Sequence, residues 1–193
     1  MLTCIMLTPT AVAPPPALPG AHYLVHVSQF DVTGLMAARY AALAKVQTPM
    51  CAFVDVGDAL LHIPAQVPAG LLYGAEEVFN VAQQQLSTVP PTPYSQAAHR
   101  CNPLLIHRAI FNTRVAQAVA QLLPAGLSME WLLYYFVAAW RGAQLTPAPL
   151  YRWQRQATGM HLQVNQAVGA SALWLLQNQA RVLATLRANH TIL

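Results

Sequence analysis

The sequence predicts an α+β protein, with a mixed strand-and-helix portion over residues 21–126 and a helical portion over residues 127–193. Two patterns predict this. Short apolar runs bounded by glycine and proline recur before residue 126, and two long helix-patterned stretches follow it. The length agrees: 193 residues fit one domain with room for a small second lobe, and suffice for a hydrophobic core.

Residues 1–20 are rich in threonine and proline, with Pro14, Pro15 and Pro16 in a row. They read as an extended arm with no fold of its own, ordered on a partner. His22 to Val27 alternates loosely and reads as a strand. Leu35 to Val46 reads as a helix, with Leu35, Ala38, Ala42 and Val46 near one face. Cys51 to Val56 and Ala59 to Ile63 are apolar runs split by Gly57-Asp58, a turn signal, and suggest a hairpin ended by Pro64 and Pro68. Ala75 to Leu86 reads as a helix with an acidic first turn, which suits the helix dipole. The proline-rich stretch 87–96 reads as a loop. Leu104 to Ile110 is a strand candidate carrying Arg108. Asn112 or Thr113 can cap a helix running to Leu123, which Pro124 and Gly126 break. Ser128 caps the next helix, to about Arg141, which is apolar all round and so is expected to be buried. Gln144 to Pro149 reads as a linker. Gly159 to Ala188 holds a long helix with Leu173, Leu176, Ala180, Leu183 and Arg187 along one stripe; Trp174, Leu175 and Leu176 suit packing or a neighbouring subunit equally.

Charged residues make up 8% of the chain and apolar residues 55%, against about 25% and about 45–50% in ordinary soluble proteins. A free monomer keeps a well-charged surface, so a chain this poor in charge is expected to hide surface against other subunits. A spanning helix is not expected. The best apolar run, Trp131 to Trp140, is bounded by Glu130 and Arg141 and is too short. The N-terminus lacks a basic leader region, and Pro9 interrupts its apolar run. Cys4, Cys51 and Cys101 make no disulfide framework, so a reducing cytoplasm is the expected setting.

The charge is unevenly placed. Residues 1–99 hold two basic against five acidic residues, a net of −3, and residues 100–193 hold eight arginines against Glu130 alone, a net of +7. Guanidinium is planar, weakly hydrated and suited to bidentate phosphate contact, so an arginine-only basic half favours an anionic partner; an ordinary solvated surface is the competing explanation. The segment 150–156 places Tyr151 and Trp153 among Arg152 and Arg155, a combination that suits phosphates and stacked bases of single strands or RNA, with packing of the rings as the equal alternative. The aromatic belt of the helix at 128–141 reads instead as core.

Catalytic and metal motifs are weak. His99, Cys101 and His107 are the nearest to a metal cluster, but a structural zinc wants four ligands in tight pairs. They read as a loop cysteine and two surface histidines. Glu76-Glu77 and Asp55/Asp58 are the paired carboxylates: adjacent helical glutamates diverge, and Asp beside a glycine turn has backbone reasons to be there. No phosphate-cradling glycine motif is present. No enzyme activity, cofactor or metal ligand is expected.

The central segment carries "PPTPY" at 90–94 and then "LLIHRAIFN" at 104–112, a proline-rich turn followed by a strand that ends in an arginine and a short polar cap. On these residues it resembles the large-subunit protein of type IV CRISPR effector complexes. The resemblance covers about a third of the chain. "PMCAFVDVGDALLHIPA" at 49–65 lies where such proteins carry a cysteine-containing zinc element, yet Cys51 has no C-x2-C partner here, so the resemblance implies a site lost or degenerate. It further implies a multi-subunit ribonucleoprotein, with this chain at one end of a guide RNA, reading a short motif beside the DNA target while base pairing reads the sequence. The contact residues expected are Arg100, Arg108, Arg114, Arg141, Arg152 and Arg155, with Tyr151 and Trp153. The alternatives are a structural protein of a virion or secretion machine that assembles without nucleic acid, and a small enzyme using His99, Cys101 or His107.

Overall fold

The computed structural model describes residues 1–8, 13–27, 34–67, 70–127, 130–155 and 165–189. Strands and helices are both present, and the fold is α+β. Among the described residues eight strands form one curled, mixed sheet: β1 (Leu2–Thr8), β2 (Ala21–Val27), β3 (Met50–Phe53), β4 (Ala59–Leu60), β5 (Leu71–Asn80), β6 (Gln85–Val89), β7 (Ile110–Asn112) and β8 (Ala143–Arg155). The order is β2-β1-β3-β7-β5-β8-β4, with β6 paired to the far half of β5. β1 runs parallel to β2 and β3, and β5 parallel to β8; the β3–β7, β5–β7, β5–β6 and β4–β8 pairs are antiparallel.

Strand alternation divides the core into two layers. One sheet face presents Ile5, Leu7, Cys51, Phe53, Leu71, Tyr73 and Phe111 to the helices α1 (Leu35–Leu43), α3 (Thr113–Ala120), α4 (Trp131–Arg141) and α5 (Asn165–Asn189). The other presents Cys4, Met6, Met50, Ala52, Leu72 and Ile110 to Leu60, Val67, Leu150 and Tyr151, where the sheet curls over itself. α4 lies at the centre of the helical layer: Trp131 to Ala138 are all buried, and Tyr134 stacks on Phe111 at a ring separation of 5.2 Å.

Several local expectations change. Leu2–Thr8 is no arm but an inner strand, buried on both faces; its near-continuous apolar run is the signature of such a strand. Ala75 to Leu86 is not a helix. It belongs to the β5–β6 hairpin, whose turn is fastened by Asn80, the Oδ1 of which accepts from the Gln83 N–H at 3.1 Å. Its glutamates find partners on other segments: Glu76 on His107 and Glu77 on Arg152. The expected hairpin over 51–63 does not form, because β3 pairs with β1 and β7 while β4 pairs with β8. The segment 144–149, read as a linker, belongs to β8, so the sheet continues past residue 126. The strand expected at 104–110 is confined to Ile110–Asn112, and the loop expected over 87–96 begins only after β6, which takes 87–89, and ends where α2 (Gln96–Cys101) is capped by Ser95. Asn112 caps α3 as expected, its side chain accepting from the Val115 N–H. On α5 the buried stripe is Leu175, Val182, Leu183 and Leu186, while Leu173 and Leu176 are 57% and 66% exposed. Ser128 and the expected start of that helix at Gly159 lie outside the described residues.

Candidate functional site

Four charged side chains from four separate segments meet where the β3–β4 turn approaches α1 and α4. Arg39 comes from α1, Asp55 from the turn after β3, Arg108 from the loop before β7, and Glu130 from the N-cap of α4. Arg39 donates to Asp55 Oδ1 at 2.5 Å and pairs with Glu130. Arg108 donates to Asp55 Oδ2 at 2.7 Å and to Glu130 Oε2 at 2.9 Å. Tyr134 Oη donates to Glu130 Oε2 at 3.1 Å. The arginine planes are held by aromatic faces, Arg39 over Phe53 at 5.2 Å and Arg108 over Tyr151 at 5.4 Å. Arg39, Arg108 and Glu130 are buried, but the Asp55 side chain is 44% exposed. Removing Arg39, Arg108 or Glu130, the buried members, costs about 3–5 kcal/mol, because a charge is left unpaired.

A second carboxylate adjoins the square. Tyr151 Oη donates to Asp58 Oδ2 at 3.0 Å and accepts from the Asp55 N–H, and Asp58 Oδ1 accepts from the Gln154 N–H at 2.9 Å. The two aspartates titrate in opposite directions. Burial alone would raise Asp55, but the two guanidiniums outweigh it and hold the carboxyl down at about 2. Burial pushes Asp58 up to about 6, with the Asp55 charge adding to the rise against the Gln154 N–H bond. Gly57, between them, has φ +91°, which only glycine adopts freely. Next to this cluster His107 Nδ1 lies 2.9 Å from Glu76 Oε2, and the His107 ring meets Trp153 edge-on at 5.4 Å.

His99 sits elsewhere, in an aromatic box. It is fully buried, with Tyr94 and Tyr135 each at a ring separation of 5.7 Å, and neither ring nitrogen has a hydrogen-bond partner among the described residues. Its carbonyl accepts from Trp131 Nε1 at 2.9 Å, which pins α2 to α4. Burial pushes the imidazole down to about 4.

The residues expected to bind nucleic acid fall into three groups. Arg108 and Tyr151 are buried and engaged in the charged square. Arg152 is exposed but bound to Glu77, through Nε at 2.8 Å; Arg141 is partly buried against the Trp140 ring at 4.5 Å, and Trp153 is partly buried against His107. Arg100, Arg114 and Arg155 are exposed and make no ion pair with any described residue. Parallel pairing puts Arg155 on the sheet face of Trp153 and Tyr151, and Arg152 on the opposite face with Glu77. The two arginines of the 150–156 motif therefore do not form one patch.

His99, Cys101 and His107 are not assembled together. His99 is in the aromatic box and His107 is on Glu76, neither being the surface histidine the sequence suggested, while Cys101 is exposed. Among the described residues no group of three His, Cys, Asp or Glu side chains is placed to hold a metal. Where the resemblance implies a zinc element the chain forms β3, a turn and β4, and burial pushes the Cys51 thiol up to about 12, away from the thiolate a metal needs.

Sequence reasoning missed Arg39, Asp55, Asp58 and Glu130 as a constellation. One signal was available: Arg39 lies four residues after Leu35, on the same stripe as Ala38 and Ala42, and an arginine on an apolar stripe must find a buried anion. Compared with known proteins, the chain matches no protein-family model, and no curated protein matches it.

Proposed function

We propose that this protein is a non-catalytic, nucleic-acid-binding subunit of a larger cytoplasmic ribonucleoprotein assembly. One observation supports it. Every described acidic side chain is engaged within the fold: Asp55 and Glu130 by Arg39 and Arg108, Asp58 by Tyr151, Glu76 by His107 and Glu77 by Arg152. The exposed cations Lys45, Arg100, Arg114, Arg155 and Arg181 have no such carboxylate partner among the described residues. The described exterior thus offers positive charge without compensating acid, the electrostatic footprint of a protein that meets phosphates. Arginine supplies four of those five cations, in keeping with backbone contact rather than solubility alone.

The finer role is a subunit of an RNA-guided complex that contacts guide RNA and the flank of the target DNA. It is supported by the sequence resemblance at 90–94 and 104–112. A structural role between protein subunits is the second reading, favoured by the exposed Leu173 and Leu176 on α5.

The deciding experiment is gentle purification of the tagged protein from its own cells, with extraction of bound nucleic acid. A discrete RNA population sharing an end sequence, together with a fixed set of proteins, is expected. An assembly free of nucleic acid and resistant to nuclease would refute the reading and leave the structural one. In vitro, replacing Arg100, Arg114 and Arg155 by Gln should lower the salt slope of single-strand binding by roughly 0.7 for each arginine that contacts a phosphate.

A further inference from the structure

The Arg39–Arg108 pair has the build of an anion receptor. Both guanidiniums are more than nine-tenths buried and already share one buried carboxylate, Glu130. Their planes are fixed by Phe53 and Tyr151. What remains of their donor capacity converges outward: one Nη2 from each arginine reaches a different oxygen of the same carboxylate, at 2.5 and 2.7 Å. Arg108 Nε, also buried, has no hydrogen-bond partner among the described residues.

The carboxylate they meet is the odd member of the set. Asp55 is 44% exposed, and it stands on a turn that continues into Gly57 at positive φ. Its main-chain N–H is held only by a 3.2 Å bond to Tyr151 Oη. Glu130 alone leaves the two arginines with one uncompensated positive charge, at a place open to solvent. Two oxygens of a phosphate are spaced much like those of a carboxylate, and arginine forks suit both.

We propose that Arg39 and Arg108 form a receptor for a phosphate group, occupied in this structure by the chain's own Asp55 carboxylate. A phosphate displaces Asp55, and the turn 54–58 moves outward. The other ionisable groups around the site are Asp58, Tyr151, Tyr134, His107, Tyr40 and Glu76. With Asp58 ionised above its raised pKa, the site selects phosphate less strongly; with Asp58 neutral, more so. The site does not depend on the nucleic-acid reading, because a free phosphate and the terminal phosphate of a nucleic acid present the same oxygens.

The test uses the full chain and two variants, Asp55→Ala, which empties the receptor, and Asp55→Asn, which keeps the turn and removes the charge. Melting temperature and titration calorimetry are read with inorganic phosphate against chloride at matched ionic strength. Both variants should bind phosphate roughly tenfold or more tightly than the wild-type chain, because a tethered competitor at millimolar or higher effective concentration has gone, and their melting temperatures should rise with phosphate. A variant that folds only with phosphate supports the receptor equally. Folded variants whose stability and binding ignore phosphate overturn it. So does failure of both variants to fold in phosphate, since Asp55 would then be a structural ion-pair partner. The source is read from 5′-phosphorylated and 5′-hydroxyl oligonucleotides of one sequence: preference for the former assigns a nucleic-acid end, and binding of inorganic phosphate alone assigns a small molecule. The salt slope of the Arg100/Arg114/Arg155 variant is a separate measurement, so either proposal can fail without the other.

Discussion

Acid should act on this fold through two opposed groups, and a single substitution should separate them. His99 is held at about 4 in the folded chain against an ordinary value of 6.5. Between those values the unfolded chain binds a proton that the folded chain refuses, so stability falls as pH falls through this window. A shift of about 2.5 pH units at 1.36 kcal/mol per unit gives a loss of about 3 kcal/mol by pH 4, and none above neutrality. Asp58 works the other way. Its folded value of about 6 exceeds the ordinary 3.8, so the folded chain takes the proton first. Its contribution is fully present below 3.8 and is lost as pH rises through 6, and amounts to about 3 kcal/mol. In the wild-type chain the two nearly cancel, and stability should change little between pH 6 and 4. His99→Phe keeps an aromatic ring between Tyr94 and Tyr135, and leaves the carbonyl bond to Trp131 in place. It removes only the acid-sensitive half. Its urea unfolding free energy should therefore rise by about 3 kcal/mol from pH 7 to pH 4 while the wild-type value stays level. Parallel wild-type and variant curves over that range would show that His99 is not held neutral by burial, and the reasoning would be wrong.

Two further predictions concern packing. Leu175→Ala or Leu186→Ala, each emptying a fully buried position on α5, should cost about 2–5 kcal/mol, whereas Leu173→Ser and Leu176→Ser on the outer face should stay within about 0.5 kcal/mol; urea midpoints with unchanged slopes check both. Gly74→Ala should destabilise by about 1–3 kcal/mol, because its Cβ would stand 2.7 Å from the Ala148 carbonyl oxygen at the β5–β8 register shift; a melting temperature equal to wild type would show that β8 yields there at no cost.

The sequence displayed what depends on near neighbours and concealed what depends on distant ones. The alternation in 22–27, the cap at Asn112 and the all-apolar helix ending at Arg141 are local properties, and each is present in the structure. Ala75 to Leu86 failed because a hairpin and a helix offer the same few apolar side chains at this length, and the acidic pair that suggested a helix start instead meets side chains 31 and 75 positions away. The segment 144–149 looked like a linker because prolines at 147 and 149 remove backbone donors; the strand accommodates them beside register irregularities between Gly74 and Glu76. The charged square was hidden for the same reason. Asp55 is a turn residue by local rules, and only the packing of α1 and α4 beneath it shows that it faces two buried arginines.

The charge asymmetry along the chain takes on a different meaning in three dimensions. An acidic first half and an arginine-rich second half suggested one basic face. Much of that opposition is consumed by folding: Asp55 takes Arg108, Glu77 takes Arg152 and Glu76 takes His107, while Arg39 of the first half takes Glu130 of the second. These pairs stitch β8 and the segment before β7 onto β5 and the turn after β3, and the start of α4 onto α1, so electrostatic complementarity between halves specifies which segments meet. With so few acids in the chain, each internal pair also removes a negative charge from the exterior. The arginines left over are thus set by subtraction. Among the described residues they include Arg100, Arg114, Arg155 and Arg181 rather than the whole run after residue 99, and the 150–156 motif that looked densest in sequence contributes one exposed guanidinium with no ion pair to a described residue, at Arg155. On the proposed nucleic-acid reading, contact should therefore be spread across several elements, α2, α3, β8 and α5, and not made by one short motif.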